Sequence, residues 1–406
     1  DSGEVTCVGY TVTDIPPNLP LHTYTLKLNG LLLRFSLTES HLHTVHARAF
    51  HAAPQLKSVK LSSNDLSTLP AQVFSPLTAV EEIYLDGNQL ETLAPETFEG
   101  LGKLLILDLT RNKLTNPFPK NIFRSLTNLR LLRVYNNELE SLEEGTFDEL
   151  VNLVELTLQG NKIERLAPRV FWSLRKLRVL TLSGNRLQAV PPKSFYNMPE
   201  LIKLTIYKNP LLSLELPPDV FCCLPHLQKL SLRNNKLVHL HPQIFSSLTP
   251  VNILLLNDNS LKSLPEDIFQ NLTHLTAIDL KNNNLKSLPG EIFSPIAALK
   301  ALTLSGNPWN CNCAIRDIAR WIGNNLHVVV DIDDVLCHSP MYHVLRKVSS
   351  LQDDEFTCDE KRSQTPPDKP VTTTHMHESL KPMYVIPTTP LSKTTSSGAT
   401  TLGSHL

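Results

Sequence analysis

This chain of 406 residues has almost no excess of charge: 38 lysines and arginines stand against 39 aspartates and glutamates, for a net charge of −1 and a pI near 7.0. That balance removes the electrostatic case for a nucleic acid or an anionic membrane as the main partner. No stretch approaches the roughly 20 apolar residues that a bilayer-spanning helix requires, so no part of the chain is expected to cross a membrane. Catalytic signatures are missing too. There is no HExxH, no GxxxxGK followed by Ser or Thr, no GxSxG elbow and no GxGxxG after a strand, which leaves no constellation for zinc hydrolysis, phosphate cradling, acyl transfer or dinucleotide binding. His41, His43, His46 and His51 lie close together but at spacings that match no familiar metal site. Catalytic residues, metals and cofactors are therefore all expected to be none.

The chain does have a beat. Asparagine closes the phrase LxxLxLxxN at Asn64, Asn88, Asn112, Asn137, Asn161, Asn185, Asn209, Asn235, Asn259, Asn283 and Asn307, a period of 24 residues stretched by one before Asn137 and by two before Asn235. A phenylalanine stands fourteen residues before each of them, from Phe50 to Phe293. One further turn places Leu32, Phe35, Leu37 and Leu42 at the apolar positions and Ser40 where asparagine would be. This is the pattern of an α/β leucine-rich-repeat solenoid of about twelve coils: a curved right-handed stack with a parallel sheet on its concave face.

Alternation assigns the faces. In the coil Leu56–Leu66, Val59 and Leu61 are two apart and share the inner side of a strand, so Lys60 faces out. The asparagines are read as structural, because a short side chain with both donor and acceptor can satisfy the backbone of successive turns. The phenylalanines are read as a spine filling the outer half of the core.

The outward strand positions lie six, four and two residues before each asparagine, and they are the candidate protein-binding surface. They carry Glu82, Tyr84, Asp86 and Asp108 early, then Arg133 and Tyr135, then Lys203, Tyr207, Lys229 and Arg233. Thr157, Thr181, Ser183 and Thr205 separate the acidic zone from the basic one, and Ile253 with Leu255 makes an apolar spot beyond. Tyrosine and arginine are the residue types most enriched at binding hot spots. Charged residues there also serve solubility alone.

Four of the seven cysteines, Cys311, Cys313, Cys337 and Cys358, follow the last coil, where the hydrophobic end of a stack needs covering. CxC with two widely separated later cysteines is not the usual two-knuckle zinc spacing, which favours disulfides and an oxidising compartment. Cys222 and Cys223 adjoin the spine residue Phe221 in the lengthened coil. One reading is a buried thiol beside a surface one, and the other is an intermolecular disulfide. Asn271-Leu272-Thr273 is the only N-glycosylation sequon.

The phrase LxxLPxxxFxxLxxLxxLxLxxN and the cap motif Asn307-Pro308-Trp309-Asn310-Cys311-Asn312-Cys313 resemble those of vertebrate extracellular leucine-rich-repeat glycoproteins of the plasma and platelet kind, over about residues 5 to 358. The resemblance implies the pairings Cys311–Cys337 and Cys313–Cys358. It further implies a secreted or cell-surface protein that binds an extracellular protein ligand or partner subunit and catalyses nothing. The expected organisation is an N-terminal cap over 1–31, repeats over 32–306, a cysteine-rich cap over 307–358 and a disordered Thr/Pro/Ser-rich stalk or tail over 359–406. Cys7 has no upstream partner of the kind such caps supply. With the polar start Asp1-Ser2-Gly3-Glu4, this suggests a processed or truncated chain.

Overall fold

The computed structural model describes residues 4–8, 25–29, 33–115, 118–212, 216–356 and 358. The side chain of Cys7 and the expected tail over 359–406 lie outside these. Strands Glu4–Val8 and Thr25–Asn29 pair in parallel.

Twelve strands of three residues each, from Arg34–Ser36 through Ala301–Thr303, form one parallel sheet in chain order. Each pairs with the next without offset: Glu82 faces Ile106, Lys203 faces Lys229, and Lys229 faces Ile253. The middle residue of every strand, such as Val59, Ile83, Leu107 and Leu132, points into the stack and is buried. The chain returns through successive turns bonded three residues back, as in Val73 N–H to Pro70 O and Leu77 N–H to Phe74 O. Among the described residues the single α-helix is Arg316–Asn324, so the α part of the expected class is confined to the cap.

The asparagine column is bonded in the way its chemistry allows. Asn88 accepts from Leu66 N–H of the preceding coil at 3.1 Å and donates to Leu61 O at 2.9 Å and to Leu85 O of its own coil at 3.0 Å. The pattern recurs at Asn161 and Asn283. An unpaired buried backbone group costs about 1–3 kcal/mol, so each asparagine secures one coil to the one before it. At the lengthened coil the acceptor shifts: Asn235 Oδ1 takes Asn209 N–H at 3.2 Å.

The residue before each of these positions is left-handed in all twelve coils, from Glu39 (φ 53°) and Ser63 (φ 56°) to Gly306 (φ 69°). At Gly160 and Gly306 a Cβ would also collide with the carboxamides of Asn136 and Asn282 one coil earlier. Glycine is favoured there by both the backbone angle and the space, although other coils hold Asn, Asp or Lys at the same position.

The phenylalanine spine is buried throughout. Ring centroids lie 5.7 Å apart at Phe50–Phe74 and 6.3 Å apart at Phe147–Phe171, with the rings nearly parallel in the second case. Trp321 of the cap closes the row against Phe293 at 4.9 Å.

The cap covers the open edge of the last strand. Asp331 accepts from Leu304 N–H and Ser305 N–H at 2.8–3.1 Å, and Leu302 N–H donates to Val328 O at 2.9 Å, so the ladder ends on partners in place of a thirteenth strand. Ile318, Ala319 and Ile322 of the helix are buried beneath. Cys311–Cys337 and Cys313–Cys358 are bonded. Arg346 grips Glu355 with both guanidinium nitrogens, at 2.5 and 3.2 Å, and holds its carboxyl down at about 2. Cys222 is half-buried and Cys223 exposed, their sulfurs 2.9 Å apart. Burial, then the bond from Cys223, pushes the Cys222 thiol up to about 12.

Candidate functional site

The in-register sheet turns the outward positions into three parallel columns, one side chain per coil and about 4.8 Å apart. All ten candidate residues lie on this face, in two groups with different surroundings.

In the first group the charges are already engaged. Glu82 accepts from Ser58 Oγ at 2.9 Å and Asp86 from Ser62 Oγ at 2.6 Å. Lys60 sits 4.9 Å from the centre of the Tyr84 ring. Burial raises the pKa of the Tyr84 phenol, and the charge of Glu82 adds to the shift. Asp108 differs from the expectation of a presented carboxylate. It is only 7% exposed, its Oδ1 takes Thr110 N–H at 3.0 Å, and Oδ2 lies 3.6 Å from Arg133. A short acid at the middle position folds back onto its own strand. Arg133 lies between Asp108 and Glu155, 3.9 Å from the latter, so its charge is answered within the sheet. Glu155 occupies an outward position too and was missed, although its place six residues before Asn161 was readable. Tyr135 is half-buried at the edge of this network.

In the second group the charges have no such answer. Lys203 and Lys229 are register neighbours on adjacent strands, and the Arg233 guanidinium lies 4.4 Å from the centre of the Tyr207 ring. Among the described residues no carboxylate comes within ion-pair distance of Lys203, Lys229 or Arg233. Ile253 follows Lys229 in the same column, half-buried, with Leu255 beside it. Thr157, Thr205 and Ser183, counted as outward polar positions, are buried on the floor of the face.

The rest of the surface is less organised. His41 bonds Asp65 at 2.9 Å, and among the described residues no group of three or more His, Cys, Asp or Glu is placed to hold a metal. Asn271 is exposed on a return segment, its amide donating to Ser246 O at 3.1 Å.

The family model described as leucine rich repeat matches residues 32–90, 80–139, 127–187, 175–237, 225–268 and 249–308. The chain belongs to the leucine-rich repeat family. Among curated relatives, leucine-rich glioma-inactivated protein 1 of Mus musculus is 32% identical over 53 residues, 13% of this chain and 9% of that protein. Leucine-rich repeat-containing protein 26 of the same species is 33% identical over 51 residues, 13% of this chain and 15% of that protein. The chain thus spans only a small part of the curated relatives it matches. Among solved structures, a chain in the octameric complex of Latrophilin 3, Unc5D and FLRT2 superposes with a TM-score of 0.59 at 23% identity, covering 84% of this chain and 93% of that one. A chain of the mouse RP105/MD-1 complex gives 0.65 at 20% identity, covering 87% and 63%. At such identities the likeness speaks for the leucine-rich repeat fold alone.

Proposed function

We propose that this leucine-rich repeat protein is a non-catalytic, extracellular protein-binding glycoprotein of the soluble plasma type, a carrier or regulatory subunit. The observation that carries the reading is the sheet face itself. Twelve in-register strands present a continuous surface on which tyrosines and cations cluster over small polar side chains, as binding hot spots do. The two cap disulfides support an oxidising compartment. The exposed amide of Asn271 within its sequon supports a glycan, since a glycosylated amide keeps one N–H for the bond to Ser246 O. A second reading, the ectodomain of an adhesion or immune receptor on a mucin-like stalk, is favoured by the Thr/Pro/Ser-rich composition of residues 359–406.

The test is affinity capture from serum and from cell surfaces, with the parent chain beside Thr181→Arg, which places a bulky cation in the middle of the face. Loss of the captured protein by the variant supports a partner seated on the strands. Equal capture by both would move the interface elsewhere. A partner taken from serum favours the soluble reading, and one taken from membranes the receptor reading.

A further inference from the structure

We propose that Lys203, Lys229 and Arg233, with Tyr207 and the apolar pair Ile253 and Leu255, form a subsite for an acidic polypeptide segment: aspartate or glutamate side chains followed by an apolar one. The inference rests on the protein-binding role proposed above and specifies the chemistry of the partner.

Several charges one coil apart in this molecule come in opposite pairs. Lys57 meets Glu81 at 3.0 Å, Arg124 meets Glu99 at 3.0 Å, Lys162 meets Glu138 at 2.9 Å and Arg186 meets Glu164 at 3.5 Å. In the column through Lys203 and Lys229 no such pair forms among the described residues. The two lysines are register neighbours and neither has a carboxylate partner, so a carboxylate lying over both would be attracted by two cations at once. Arg233 adds a third cation, its guanidinium steadied on the Tyr207 ring. Ser231 closes the strand that Lys229 opens, two residues before Arg233. It is 2% exposed and its hydroxyl has no hydrogen-bond partner, as is also the case for Thr157 at the same place in an earlier coil, so it belongs to the floor of the face. The next strand then offers Ile253 in the Lys229 column, so apolar contact lies directly beside the charge.

The probes are a synthetic peptide of alternating Asp and Glu with one leucine, its Asn/Gln counterpart, and heparin, each labelled and titrated by fluorescence anisotropy over a range of salt. The parent protein is expected to bind the acidic peptide with an affinity that falls as salt rises, and the amide peptide about ten-fold or more weakly. Lys203→Glu with Lys229→Glu should weaken the acidic peptide by about ten-fold or more. Lys262→Glu, an exposed charge reversal off the sheet, should leave it unchanged. Equal binding of both peptides, or of the acidic peptide by parent and double variant, overturns the proposal. Binding of heparin in place of the acidic peptide, lost in the double variant, also overturns it and makes the patch a glycan site. The captured partner separates this failure from that of the general role. If Thr181→Arg loses the partner while Lys203→Glu with Lys229→Glu keeps it, the sheet-face reading stands and the acidic subsite falls; if both variants keep it, both fall.

Discussion

A coil in the middle of the stack is held on two sides by the same bonds that hold its neighbours, whereas the cap over residues 307–358 makes each of its attachments once. The strand Glu155–Thr157 pairs with Leu131–Arg133 and with Val179–Thr181, and Asn161 repeats the bonding of Asn137. The cap instead depends on Asp331 at the open edge, two disulfides, Trp321 on Phe293 and one gripped carboxylate. Order in the body is therefore redundant. Order in the cap is a set of single points, any of which can fail alone.

The strongest challenge to that contrast is to remove both crosslinks. Cys311→Ser with Cys313→Ser should destabilise the protein by about 2–5 kcal/mol for each bond lost, read from urea unfolding. Hydrogen exchange should rise first in residues 313–358 while strands from Ser58 to Val179 keep their protection. Uniform loss of protection would mean that the cap and body are one cooperative unit. Next in size is Phe171→Ala in the middle of the spine, where an emptied space between Phe147 and Phe195 should cost about 3–5 kcal/mol. Asn161→Ala should cost roughly 1–3 kcal/mol, because it leaves the buried Leu139 N–H without its acceptor, while Val134 O keeps the bond from Asn137. For both, exchange is expected to rise in the adjoining coils and not in the cap.

A smaller effect is confined to the cap and to acid. The Glu355 carboxyl is held down to about 2 by Arg346, below its ordinary value of about 4.3. A depressed carboxyl stabilises the folded state above its unfolded value, and that contribution is lost as pH falls through the interval between the two. The melting temperatures of the parent and of Glu355→Gln should therefore converge between about pH 4.3 and 2. A constant difference would show that the pair contributes nothing specific. Smallest of all is Lys162→Ala, whose exposed pair with Glu138 should be worth about 0–1 kcal/mol in thermal melts.

The two regions also differed in how much of them was legible. The 24-residue period exposed the strands, the inward leucines, the asparagine column and the spine, because each rests on a local alternation that the next coil repeats. The left-handed residue before each asparagine is also marked in the sequence: Gly87, Gly160, Gly184 and Gly306, with Asn136, Asn234, Asp258 and Asn282, are residue types that tolerate that backbone. The site was only half legible. Outward position could be read residue by residue, but whether a charge is answered depends on the coil beside it. Asp108 and Arg133 therefore looked available in the sequence and are engaged in the structure, while Lys203 and Lys229, read as part of a basic zone, prove to be register neighbours without a carboxylate partner. The cap, with no period to average over, gave up its cysteines and little more. Its exposed Met341, Tyr342 and Leu345 had no pattern to announce them.

The unstaggered sheet has one more consequence. Since the windings outside the lengthened coils offer their successors the same surface that they received from their predecessors, a segment one period long could be excised or duplicated there and the new junction would still match. The body can change length by copying, in whole units and without repair. Its terminus has no such freedom, because Asp331 and the crosslinked loops are fitted to one particular last winding.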